Sequence, residues 1–176
     1  MTLQERFTDD ELLLLNSVPT VIGSAMAFAE GSGLGTIKEL MANAKTYIGG
    51  SKAYPNNEII TGILPNLEDR KEAVAHAKEF RKKAMARLKD KGINSHETLR
   101  NQLIEDCKTV SEILANKASE QEATEYKEWA MSVAENVAKA AKEGGFLGFG
   151  GETISEGEKE VFGKIASSLG VSSNLA

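Results

Sequence analysis

The residues of this chain with chemistry to offer are one cysteine, two histidines and several clusters of carboxylates: Cys107, His76, His96 and the acids around Asp9 and Glu156. A thiolate–imidazole nucleophile needs its two side chains within hydrogen-bond reach. His76 and Cys107 lie at similar distances from a turn near Gly92, so their levels on two neighbouring helices nearly coincide. Cys107, however, falls on an apolar stripe, where a free thiol behaves as a small hydrophobe. His76 lies on the flank of its own stripe. A buried thiol and a boundary histidine are therefore expected, not a catalytic couple. A di-iron site needs Glu-x-x-His pairs, but the residues three before His76 and His96 are Ala73 and Ile93. The His-Glu-x-x-His zinc motif is also missing. No nucleophile, base and oxyanion donor converge, so the chain is expected to be non-enzymatic.

Two carboxylate groups have the character of hard-cation ligands. They are Asp9, Asp10 and Glu11, and Glu152, Glu156 and Glu158. The second trio is the candidate metal site, for calcium or magnesium. Acids at helix starts are also what caps and the helix dipole require, and capping is the leading reading.

The second trio borders the stretch GGFLGFGGETISEGE, residues 144–158, in which five of the first eight residues are glycine. No Gly-Lys-Ser/Thr follows, and the neighbouring acids repel an anion, so a phosphate cradle is not expected. The glycines permit a tight excursion carrying Phe146, Leu147 and Phe149. Burial of these three against the helices is the first expectation. The second is an exposed apolar tip contacting a protein partner or a homo-oligomer. The run KEFRKKAMARLKDK, Lys78–Lys91, holds seven basic residues and two acids. It is read as a solvated face, with Phe80 claimed by the core.

Positioning these groups falls to helices whose starts are spelled out repeatedly. Thr8–Glu11, Thr36–Glu39, Asn66–Asp69, Asn94–Glu97, Ser119–Glu122 and Ser155–Glu158 each set a capping side chain three residues before an acid. They predict six main helices at about 8–30, 36–49, 67–91, 95–118, 119–143 and 155–169, plus a short turn near Glu58–Leu64. Pro19 is expected to kink or split the first. The segment Gly49–Asn57 reads as a loop. Apolar residues recur at steps of three and four: Ala73, Ala77, Phe80, Ala84 and Leu88; Leu99, Leu103, Cys107, Val110 and Leu114; Tyr126, Trp129, Val133, Val137 and Ala140. The short link Lys91–Asn94 predicts an antiparallel hairpin.

The result is an all-α, single-domain bundle of six to seven helices over residues 1–176. It divides into a first half (1–65), a charged helical hairpin (66–118) and a second half (119–176). The two halves show a weak internal match: Lys38-Glu39-Leu40-Met41 against Lys159-Glu160-Val161-Phe162, Ala44 against Ile165, and Ile48 against Leu169. Two related helix pairs with an inserted hairpin would follow from a duplication.

The segment Ile154-Ser155-Glu156-Gly157-Glu158, followed by Val161-Phe162, Ile165-Ala166 and Leu169-Gly170-Val171-Ser172, resembles the second-half pattern of TerB-like (tellurite-resistance) helical domains. The resemblance covers about 19 residues closely and Phe7–Gly49 loosely. It implies a two-half helical domain, stress-associated, with helix-start carboxylates that bind a metal cation. Where the family has Asp-Gly before the Ile-Ser pair, this chain has Gly150-Gly151-Glu152-Thr153.

Composition narrows the classes further. A net charge of −5 argues against a nucleic-acid-binding role for the whole chain. A single cysteine excludes an intramolecular disulfide. The N-terminus lacks a signal-peptide pattern, and the longest apolar run, Val18–Ala29, is too short to span a bilayer. A cytoplasmic module with no membrane or nucleic-acid partner is expected, working through protein contacts. Cation binding through the helix-start acids is the alternative.

Overall fold

The computed structural model describes residues 2–27, 34–143 and 156–172. Among these residues there are eight helices and no strand: α1 Leu3–Arg6, α2 Asp9–Ala27, α3 Leu34–Ala53, α4 Glu58–Ile63, α5 Arg70–Asp90, α6 His96–Lys117, α7 Glu120–Glu143 and α8 Glu156–Leu169. The all-α bundle expected from the sequence is what the chain forms.

Local chemistry sets several of the starts. Glu11 N–H donates to Thr8 Oγ1, and Thr8 N–H donates back to the Glu11 carboxylate at 2.7 Å. Ser119 and Glu122 make the same reciprocal pair ahead of α7. Such a cap contributes about 1 kcal/mol. Three predicted starts move. Asp69, not Asn66, caps α5, accepting from the amides of Lys71 and Glu72, while Asn66 closes a local turn with Glu68 N–H. Ser95 caps α6, with Thr98 as its reciprocal partner instead of an acid. Thr36 lies inside α3 and opens no helix.

The central element is α2, which packs against α3, α6 and α7; α3 also packs on α7, and α8 on α6. The core joins Leu15, Val18 and Ile22 of α2 with Leu103, Cys107, Val110 and Leu114 of α6, Tyr126, Trp129 and Val137 of α7, and Phe162, Ile165 and Leu169 of α8. Removing a buried side chain as large as Trp129 costs about 3–5 kcal/mol. α2 runs unbroken through Pro19. A proline cannot supply the amide that the carbonyl four residues back expects. Here that carbonyl, on Leu15, accepts instead from the buried Tyr126 hydroxyl at 2.6 Å.

α3 is longer than its sequence suggests, because Gly49 and Gly50, read as loop, are helical. The reason is tertiary. The Trp129 indole lies against Gly50 so closely that a Cβ there would stand 2.5 Å from Nε1. Trp129 also stacks on Tyr47, with centroids 5.5 Å apart. The internal sequence match does not carry over to packing. Phe162, Ile165 and Leu169 are buried, whereas their counterparts Met41, Ala44 and Ile48 are exposed.

α5 differs from every long neighbour in having no buried residue. Its stripe, expected to be core, reaches only half-burial at Phe80, Ala84 and Leu88. The antiparallel hairpin with α6 meets near its turn, where Ala84, Arg87 and Leu88 face Leu99, Gln102, Leu103 and Asp106. Farther from the turn, α5 crosses over α2 and α3 instead.

Candidate contact helix and the cleft beneath it

α5 carries eight basic and three acidic side chains, +5 in sum, in a chain of net −5; the rest of the molecule therefore carries −10. Successive residues turn by 100° on a helix, so Val74, Lys78, Arg81, Lys82, Met85 and Lys89 share an outer arc of about 100°. All six are exposed, with Val74 at 63% and Met85 at 58%. Lys78, Arg81, Lys82 and Lys89 have no carboxylate partner among the described residues; the ion pair on this exposed helix surface is Glu79–Lys83. The outer face of α5 is thus a basic strip with two apolar knobs.

The helix is fastened at its C-terminal end. Arg87 Nη1 and Nη2 donate to the two oxygens of Asp106 at 2.8 and 2.6 Å, and Gln102 adds a bond to the same carboxylate at 2.8 Å. Both side chains of this fork are largely shielded from water. A bidentate guanidinium fixes orientation as well as distance.

Under the N-terminal half of α5 lies a cleft of about 350 Å3, walled by α2, α3 and α5. Thr20 and Ser24 come from α2, Asn43, Tyr47 and Ile48 from α3, and His76 and Phe80 from α5. Asn43 donates through Nδ2 to the Thr20 carbonyl at 3.0 Å, and its amide group presses on Gly23, where no Cβ would fit. Tyr47 donates to Asn16, whose own amide donates to the Ile63 carbonyl at 2.7 Å. Burial pushes the Tyr47 phenol above its ordinary range, so it remains a protonated donor.

The other candidates fall elsewhere. Phe146, Leu147, Phe149 and Glu152 lie outside the described residues. Glu156 is exposed and paired with Lys159 at 2.9 Å, and Glu158 is buried in the first turn of α8. Among the described residues, no three His, Cys, Asp or Glu side chains gather as a metal site. Glu11 is occupied by Thr8 and by Lys117 at 2.7 Å. Cys107 is fully buried, and burial, with the Asp106 carboxylate beside it, pushes its thiol up to about 12. His76 borders the cleft instead of serving that thiol. The basic run Lys78–Lys91, read from the sequence as a solvated face, supplies the strip, whereas the cleft was not singled out by the sequence patterns. Val74 and Met85, eleven positions apart, were the available signal for the strip.

Comparison with protein-family models, with curated proteins and with solved structures finds no match to this chain. No described helix is long and apolar enough to cross a membrane.

Proposed function

We propose that this chain is a non-enzymatic helical binding module of the cytoplasm that works through protein contacts, with the outer face of α5 engaging an acidic segment of a partner. The observation that supports it is the basic strip of Lys78, Arg81, Lys82 and Lys89, without carboxylate partners among the described residues, around exposed Val74 and Met85. An acidic amphipathic helix supplies matching charge and two apolar sockets, the helix-in-groove type of recognition. A short segment reaches α5 without confronting the −10 body. A nucleic acid or an anionic bilayer presents a broad negative surface that the body repels. The resemblance to TerB-like domains adds a stress-associated setting to this proposal.

The test is a titration of the full chain with a synthetic acidic amphipathic peptide of about twenty residues. Binding that weakens with salt and is lost in Lys78→Glu/Arg81→Glu supports the proposal. Binding that is indifferent to this reversal, or preference for anionic vesicles or RNA over the peptide, overturns it.

A further inference from the structure

α5 repeats itself at a period of eleven residues. Residues 70–79 read RKEAVAHAKE and residues 81–90 read RKKAMARLKD. Five of the ten positions are identical, and four more keep their character: Val74 against Met85, His76 against Arg87, Ala77 against Leu88 and Glu79 against Asp90. Glu72 against Lys83 is the one break. Eleven residues make three helical turns and about 20° more, so the second copy presents its side chains on the same line, about 16.5 Å farther along the axis. Burial repeats as well. Ala73 and Ala84 are both half-buried, whereas Val74 and Met85 both stand exposed.

Each apolar knob has the same frame. Val74 has Arg70 four residues before it, Lys71 three before it and Lys78 four after it. Met85 has Arg81, Lys82 and Lys89 at the same offsets. Residues three and four apart are neighbours on a helix surface, so three cations surround each knob. All six are exposed, and none has a carboxylate partner among the described residues. Ala75 and Ala86, also exposed, add little bulk beside the knobs and let a second helix approach.

We infer that the outer face of α5 is two tandem copies of one recognition unit, and that its partner is a helix carrying an apolar residue framed by carboxylates twice, eleven residues apart. The inference rests on the reading of this face as a contact site for an acidic segment. Charge complementarity sets the partner's frame, because three unpaired cations around a knob match carboxylates around the residue that packs on it. The spacing follows from the rise that all α-helices share. A partner crossing at about 20° returns to the same face, at the same distance, after eleven residues. A seven-residue repeat returns about 6 Å short of the second unit, and a nine-residue one puts it on the far side. Two units on one backbone make the second engagement intramolecular, which raises affinity without a new kind of contact.

The test titrates three synthetic peptides into the full chain by calorimetry. One is a helix-stapled single unit of eleven residues. The others carry two units, spaced eleven or nine residues apart, with identical composition. The single unit is expected to bind twice per chain. The eleven-spaced peptide should bind once, at least about tenfold more tightly than the nine-spaced one. Arg70→Glu/Lys71→Glu and Arg81→Glu/Lys82→Glu each remove one unit. Either should halve the single-unit stoichiometry and bring the eleven-spaced peptide down to single-unit affinity, with helicity unchanged by circular dichroism. Met85→Val, which turns the second knob into the first, should preserve the preference for the eleven-residue spacing. Equal binding of the two spaced peptides, one single unit per chain, or a loss confined to one of the two double variants would each overturn the inference and leave the contact face standing. No salt-sensitive binding of any of the three peptides would overturn both.

Discussion

Tyr126 takes up the hydrogen bond that Pro19 cannot make. Its hydroxyl donates to the Leu15 carbonyl, the acceptor that a residue with an amide at position 19 would satisfy along the helix axis. The two residues are therefore energetically coupled although they lie on different helices. Tyr126→Phe is expected to destabilise the chain by about 1–3 kcal/mol, the cost of an unmet buried acceptor. Pro19→Ala restores an amide in α2, so Tyr126→Phe should cost clearly less in its presence. Urea unfolding of the four chains of this double-mutant cycle measures the coupling. Equal costs with and without Pro19→Ala would contradict it.

Arg6 and Glu122 join the N-terminal turn to the start of α7 through bonds of 3.0 and 2.8 Å. The Arg6 bond, followed by those from Ser119, holds the Glu122 carboxyl down to about 2, from an ordinary value near 4.5. A depressed carboxyl contributes stability that is complete above the unfolded-state value and lost as pH falls through the folded one. Thermal midpoints should therefore drop between pH 5 and pH 2, with Glu122 responsible for about 1–3 kcal/mol. Glu122→Gln should be less stable at neutral pH and show a flatter profile over that interval.

The fork between Arg87 and Asp106 predicts a local effect as well as a global one. Asp106→Ala leaves a shielded guanidinium without its carboxylate and should cost about 2–4 kcal/mol. Hydrogen exchange should accelerate along α5 far more than along α7. Arg87→Lys should not substitute, because an ammonium cannot span both carboxylate oxygens. Equal acceleration in both helices would mean that the fork supports the whole bundle and does not fasten α5.

Adjacent glycines in α3 should respond in opposite directions. A Cβ on Gly50 would stand 2.5 Å from Trp129 Nε1 and 2.7 Å from Cε2, whereas a Cβ on Gly49 meets nothing within 4 Å. Gly50→Ala is expected to destabilise by about 1–3 kcal/mol through overpacking. Gly49→Ala should stabilise by roughly 0.5–1 kcal/mol through helix propensity. Thermal unfolding with Trp129 fluorescence reads both.

Cys107 should resist thiol reagents in the folded chain, since the reactive thiolate is suppressed and the sulfur is inaccessible. Labelling is expected to track global unfolding across a denaturant series. Rapid labelling under native conditions would contradict a buried, inert thiol.

What the residues disclose in advance is what local chemistry decides. The reciprocal caps at Thr8 and Ser119 are readable because both partners lie within one turn. The stripe through Leu103, Cys107, Val110 and Leu114 is readable because it repeats at helical spacing and becomes core. Gly49 and Gly50 mislead, since the second is a glycine that admits an indole from a helix far along the chain and does not open a loop. Phe80 misleads in the other direction: its stripe has the right period, but α5 crosses the bundle at its surface, so the ring lines a cleft and misses the core. Asn43 carries no signature in sequence, because its Oδ1, without a hydrogen-bond partner among the described residues, is set only where its amide presses on Gly23 of α2. Phe146, Leu147 and Phe149 lie outside the described residues, and their expected contact remains a proposal.

The charge division between α5 and the rest of the chain makes this one helix a positive pole on a molecule of net negative charge. Such a molecule is turned by the field of whatever it approaches before it touches. The acidic partner proposed above would meet α5 first, at rates that fall steeply as ionic strength shortens the Debye length below about 8 Å. Two copies of the chain, meeting in bulk, repel through their net charge but attract in the one orientation that sets the positive pole of one against the negative surface of the other. Salt thus acts on this protein as an orienting variable as much as a screening one.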